Sequence, residues 1–134
     1  MEATVRDEPA NNHSAGSRVY DWEGFELWDY EGETMEPDVQ AFRLVVITDA
    51  VGDIDVSAPN GVTVGLDGAT VEAQAYRTST SEVGGAPLTF SLLDETPVEI
   101  EAMPDYEPAA LSVRVWIEGD VVTRIDAPSR NWGP

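Results

Sequence analysis

The chain has no cysteine, no lysine and a single histidine, and no apolar run long enough to span a membrane. Without cysteine there is no disulfide framework, no thiolate nucleophile and no cysteine-ligated zinc. A bilayer-spanning helix needs roughly 20 consecutive apolar residues, and no stretch comes near that. The opening residues, MEATVRDEPANNHSAGS, lack a basic n-region and an apolar h-region and do not read as a secretory signal. The one histidine, His13, lies in this polar stretch with nothing to tune it. A Ser-His-Asp arrangement would have to use it, and an irregular arm holds a general base poorly.

What is present is acid. The 134 residues carry 26 Asp and Glu against 7 basic residues, all arginine, for a formal net charge of −19. Apolar residues still make up 42% of the chain, so a packed core is expected rather than disorder. The acids are spread along the whole chain, which describes a surface rather than a tail. In dilute buffer such a surface repels itself, whereas in molar salt the Debye length shrinks to ~3 Å and the repulsion fades. With lysine absent and Ala, Val, Thr, Asp and Glu abundant, the composition resembles proteins of extremely halophilic archaea and their viruses. A GC-rich actinobacterial or phage protein of low isoelectric point is the alternative. Nucleic acid is not expected as a partner, because binding it needs clustered cations.

One domain fits this length. Residues 1–18, without periodicity and rich in Asn, Ser, Gly and Pro, read as an extended N-terminal arm; 19–127 read as the domain and 128–134 as a C-terminal tail. From residue 41 the patterning is β, with no convincing helix. AFRLVVITDA (41–50) is a β-branched run suited to a strand covered on both faces. Three hairpins follow from pairing. An Asp67-Gly68 turn sets Val62, Val64 and Leu66 against Ala73, Val71 and Ala69. A loop at Asp94-Glu95-Thr96 sets Leu92 against Val98. A three-residue loop at Glu118-Gly119-Asp120 sets Ile117 against Val121, since a two-residue loop would bring Arg124 opposite an inward valine. This register leaves Arg114, Trp116, Val122 and Arg124 on the outer face. About eight to ten short antiparallel strands indicate a single β-sandwich, resembling immunoglobulin-like or jelly-roll sandwiches in general.

The chemistry-bearing inventory is thin. With 26 acids, some carboxylate pair satisfies any glycosidase spacing, so the spacing carries no information. Asp49, Asp53 and Asp55 offer oxygens to calcium, but no EF-hand loop surrounds them, and spare carboxylates on such a chain read as hydrated surface. No phosphate loop or dinucleotide fingerprint occurs. The aromatics are the exception. Five of the eleven fall in YDWEGFELWDY (20–30). Tyr20, Trp22, Trp28 and Tyr30 share one parity while Phe25 and Leu27 share the other, and Gly24 permits a bulge or break between them. An edge strand capping the core would produce this text, and so would a contact surface. Trp116 on the outer face and Trp132 in the tail favour the contact surface.

These readings point to a non-enzymatic structural or assembly protein of a halophilic system, with no metal or cofactor. Its expected location is the virion, as a capsid decoration, cement or tail component; the cytoplasm or cell surface of a halophile is the alternative. The partners would be protein subunits in a homo-oligomer or lattice, with no nucleic acid and no membrane. The contact residues would be Tyr20, Trp22, Trp28, Tyr30, Trp116 and Trp132. A carbohydrate- or cell-surface-binding β-sandwich module is the second candidate. The charge itself makes a testable statement: the thermal unfolding midpoint should rise as salt goes from low to molar concentration. A midpoint indifferent to salt would remove the halophilic reading.

Overall fold

A computed structural model describes residues 2–10, 16–30, 42–98 and 109–131. Among these residues ten strands run β1 (Thr4–Glu8), β2 (Ser17–Trp22), β3 (Phe25–Tyr30), β4 (Phe42–Val46), β5 (Ala50–Val51), β6 (Ile54–Asp55), β7 (Arg77–Val83), β8 (Ala86–Val98), β9 (Ala109–Glu118) and β10 (Val121–Asn131). Eight of them form one antiparallel sheet in the order β1-β2-β3-β4-β10-β9-β8-β7, and β5 and β6 form a separate ribbon. The chain is thus all-β and antiparallel, as the patterning predicts. A second large sheet is not among the described residues. The layer that closes the core comes instead from the crossover between β4 and β7, which carries the ribbon, a 3₁₀ turn (Pro59–Gly61) and a short helix α1 (Gly68–Glu72).

The sheet is two four-stranded meanders, β1–β4 and β7–β10, joined where their last strands pair. Their registers map onto one another. Trp28 opposite Arg43 corresponds to Trp116 opposite Arg124, and Leu27 opposite Leu44 corresponds to Val115 opposite Ile125. Val5 opposite Tyr20 corresponds to Thr78 opposite Ser91. A pseudo-twofold relation therefore passes between Val45 and Asp126, which face each other at the junction.

Tight turns fix these registers. Glu23-Gly24 and Gly119-Asp120 each place two residues at positive φ between strands, as a type I′ hairpin turn requires. Gly84-Gly85 does the same between β7 and β8. The Asp21 carboxylate accepts the Gly24 amide at 2.8 Å and closes the first of these turns. The aromatic stretch is consequently a hairpin, with the break that Gly24 permits forming its turn.

Other expectations are corrected. The Asp67-Gly68 hairpin does not form, because the segment is anchored elsewhere. Gly65 and Gly68 donate to the carbonyls of Val122 and Asp120 at 2.8 Å each, and Val122 donates back to Leu66 at 2.9 Å. This docks Val62, Val64, Leu66 and Val71 onto the sheet and leaves Gly68 to begin α1, a helix that the β patterning concealed. Asp94–Thr96 is not a loop but an irregularity within the 13-residue β8, whose true turn lies at Gly84-Gly85. The β9–β10 turn has two residues rather than three. A bulge at Thr123 then restores Arg124 to the side of Trp116 while Val122 turns inward opposite Ile117. Val122 is accordingly a core residue, 1% exposed, and not an outer one. The sheet also extends past both expected domain limits, since β1 lies within the expected arm and β10 runs to Asn131.

The core gathers Val46, Val62, Val71, Leu93, Val115, Ile117, Val122 and Ile125, with Phe25 at its border. Each such side chain contributes ~1.5–3 kcal/mol when fully buried. Gly68 is where the crossover comes nearest the sheet: a Cβ there would stand 2.6 Å from the Ile117 Cγ2 and 3.2 Å from the Asp120 carbonyl oxygen. Gly68→Ala should therefore lower stability in denaturant unfolding by ~1–3 kcal/mol, the usual cost of overpacking. An unchanged midpoint would mean that α1 does not dock as described.

Candidate functional site: an arginine–tryptophan face and an open apolar row

Side chains alternate between the two faces of the sheet, so the printed pairs assign each residue to a face. On the face away from the crossover, one row crosses all eight strands: Thr4, Asp21, Glu26, Val45, Asp126, Arg114, Leu92 and Arg77. Arg6, Trp28, Arg43, Phe90, Trp116 and Arg124 share this face. Five of the chain's seven arginines are therefore collected on one side of a strongly acidic molecule.

They are organised around two buried carboxylates. Asp126, fully buried, accepts from the Trp116 indole N–H at 3.0 Å and the Arg114 Nη2 at 3.1 Å. Arg124 grips it with a two-point fork, Nε at 2.6 Å and Nη2 at 3.3 Å. Glu26, 8% exposed, accepts from the Trp28 indole N–H at 2.9 Å and from the Arg6 Nη2 at 3.2 Å. The hydrogen bond to Glu26 is the main cause that holds the Arg6 guanidinium protonated beyond its ordinary range.

Each indole also lies within cation–π reach of two guanidinium groups. Arg6 and Arg43 stand 5.5 and 5.6 Å from the Trp28 ring, and Arg114 and Arg124 stand 5.5 and 4.5 Å from the Trp116 ring. Phe90 adds an edge contact to Trp116 at 4.9 Å. Rings engaged in this way are poorly placed to stack on a sugar. Among the described residues, the buried Nε atoms of Arg43 and Arg114 have no hydrogen-bond partner.

On the crossover side, the row Val5–Tyr20–Leu27–Leu44 belongs to the first meander. Its counterpart in the second is Thr78–Ser91–Val115–Ile125, whose edge residue Thr78 is exposed but whose inner three are covered by the crossover: Ser91 and Val115 are fully buried and Ile125 nearly so. The first row has no such cover among the described residues. Val5 is 52% exposed, and Tyr20, Leu27 and Leu44 are half-buried. Trp22 extends the row, stacked on Tyr20 at 6.4 Å and 22° and tilted against Phe25.

The six aromatics expected to form one contact surface are thus divided. Tyr20 and Trp22 lie on the open row. Trp28, Tyr30 and Trp116 lie on the opposite face, where Trp28 and Trp116 are held by charged partners. Trp132 and His13 lie outside the described residues. Asp49, Asp53 and Asp55 are exposed around the β5–β6 ribbon, and among the described residues no group of three or more His, Asp or Glu side chains could hold a metal ion. The reading from sequence missed Arg6, Arg43, Glu26 and Asp126. A signal existed in Glu26-x-Trp28, Arg114-x-Trp116 and Arg124-x-Asp126, each two residues apart and hence on one face of a strand.

Comparison with known proteins supplies no further guide: no protein-family model matches the chain, and no curated protein or solved structure matches it.

Removing Asp126 would strand two guanidinium groups and one indole N–H without their shared acceptor. Asp126→Ala should cost ~3–5 kcal/mol in denaturant unfolding, the range for breaking a buried ion pair. Glu8→Ala, which removes an exposed ion pair with Arg6, should cost less than ~1 kcal/mol. Equal costs would show that the Asp126 cluster does not stabilise the sheet.

Proposed function

We propose that this chain is a non-enzymatic structural protein of a halophilic system that docks on another protein subunit through Val5, Tyr20, Trp22, Leu27 and Leu44. A virion decoration, cement or tail component fits that description. The observation that carries the reading is the contrast between equivalent inner positions of one sheet: Ser91, Val115 and Ile125 are buried under the chain's own crossover, whereas Tyr20, Leu27 and Leu44 are only half-buried. An apolar, aromatic strip rimmed by charge is the usual composition of a protein contact. The −19 charge supports a working environment of high salt, where two acidic surfaces approach with little repulsion.

The test is cosedimentation with the native particle in molar salt. The wild-type protein should sediment with it. Val5→Asp and Trp22→Ser, checked for a retained fold by circular dichroism, should remain in the supernatant. Sedimentation unchanged by both would overturn the reading.

One observation favours a second reading, carbohydrate binding. The near-parallel Tyr20 and Trp22 rings offer a stacking platform. Retention on a polysaccharide column, lost in Trp22→Ala but kept in Trp28→Ala, would support it.

A further inference from the structure

The two edges of the large sheet are built differently. Edge β1 is laced by charge: Arg6 pairs with Glu8 at 3.0 Å and Glu26 at 3.2 Å, Asp7 pairs with Arg18 at 3.1 Å, and Pro9 follows the strand. Charges and a proline blunt an edge against further pairing.

Edge β7 has no such device. It pairs with β8 on one side, and no strand lies on its other side among the described residues. Its sequence RTSTSEV holds no proline and no lysine, with one positive and one negative charge near its ends. Residues Arg77–Glu82 are all exposed. On a chain of net charge −19, a strand of zero net charge is the place where a second copy can approach most closely. Its hydroxyls already form a ladder with β8, Thr78 to Ser91 at 3.0 Å and Thr80 to Thr89 at 2.9 Å. A further antiparallel strand of the same composition would extend it.

We propose that β7 is a self-association edge, at which a second copy of this chain pairs its own β7 antiparallel about a twofold axis at Thr80. Two eight-stranded sheets then become one continuous sheet. In this register Ser79 of one copy faces Ser81 of the other, and Thr78 of one faces Glu82 of the other. No like charges are opposed. Both faces keep their identity across the junction, because the axis is perpendicular to the sheet.

The register sets the experiment. The full-length protein is examined by sedimentation equilibrium at ~100 μM, where even a contact with Kd of ~10 μM is well populated, in the lowest salt at which circular dichroism shows it folded, so that introduced charges are not screened. The wild type should have the mass of two chains. The double variant Ser79→Lys/Ser81→Lys places like charges opposite each other twice across the axis and should be monomeric. The double variant Ser79→Lys/Ser81→Glu places opposite charges there and should remain dimeric. Both substituted positions, Ser79 and Ser81, are exposed in the isolated chain, and circular dichroism verifies the fold of each variant. A monomeric wild type, or two double variants that behave alike, would overturn the proposal. Neither result bears on the Val5–Tyr20–Leu27–Leu44 row, which is read out by particle binding.

Discussion

The two meanders meet at one seam, the pairing of β4 with β10, and Asp126 sits at its centre. Its carboxylate ties β9 to β10 through Arg114 and Trp116 while its backbone partner across the seam is Val45. A buried carboxylate must be compensated, and this one has a bidentate guanidinium, a second guanidinium and an indole N–H. The bulge at Thr123 makes that geometry possible. Without it, Arg124 would point towards Val115 and Asp126 would lie on the core side. The seam therefore depends on one extra residue in one strand.

The same seam explains why the halves are built alike but finished differently. The crossover leaves β4 and returns at β7, so it passes over the second meander and stops at Phe25 on the first. Val115 and Leu27 occupy matching positions, yet the first is fully buried and the second is not. On the opposite face both halves use one device, a tryptophan facing an arginine across an inner strand pair. Trp28 and Trp116 serve as packing for guanidinium groups there, and the aliphatic stems of those arginines cover the sheet.

Much of this was legible in the sequence, and each failure has a physical cause. The β2–β3 hairpin could be read because Gly24 marks the turn and the parity of the aromatics changes around it. The all-β class followed from alternating valines, threonines and isoleucines. The segment 62–73 failed because Val62, Val64, Leu66 and Val71 suit a paired strand as well as a covering layer. Only hydrogen bonds to Asp120 and Val122, distant in sequence, decide between them. The β9–β10 turn failed because a bulge reverses parity without leaving a sequence mark. The carboxylate clusters failed for a different reason. In a chain with 26 acids, Glu26 and Asp126 look like all the others, and burial alone distinguishes them.

The collected arginines have a consequence for how the molecule meets others. Among the described side chains of that face, Arg6, Arg43, Arg77, Arg114 and Arg124 are matched by Glu8, Asp21, Glu26, Glu118 and Asp126, so the face is electrically balanced. Among the described side chains the excess negative charge lies off this face, so the described part of the molecule has a quiet side and a repulsive side. As an acidic body drifts close, the repulsive side turns away and the quiet side turns inward before any contact forms. Orientation is selected by torque at a distance, and the range of that torque is set by the salt around it.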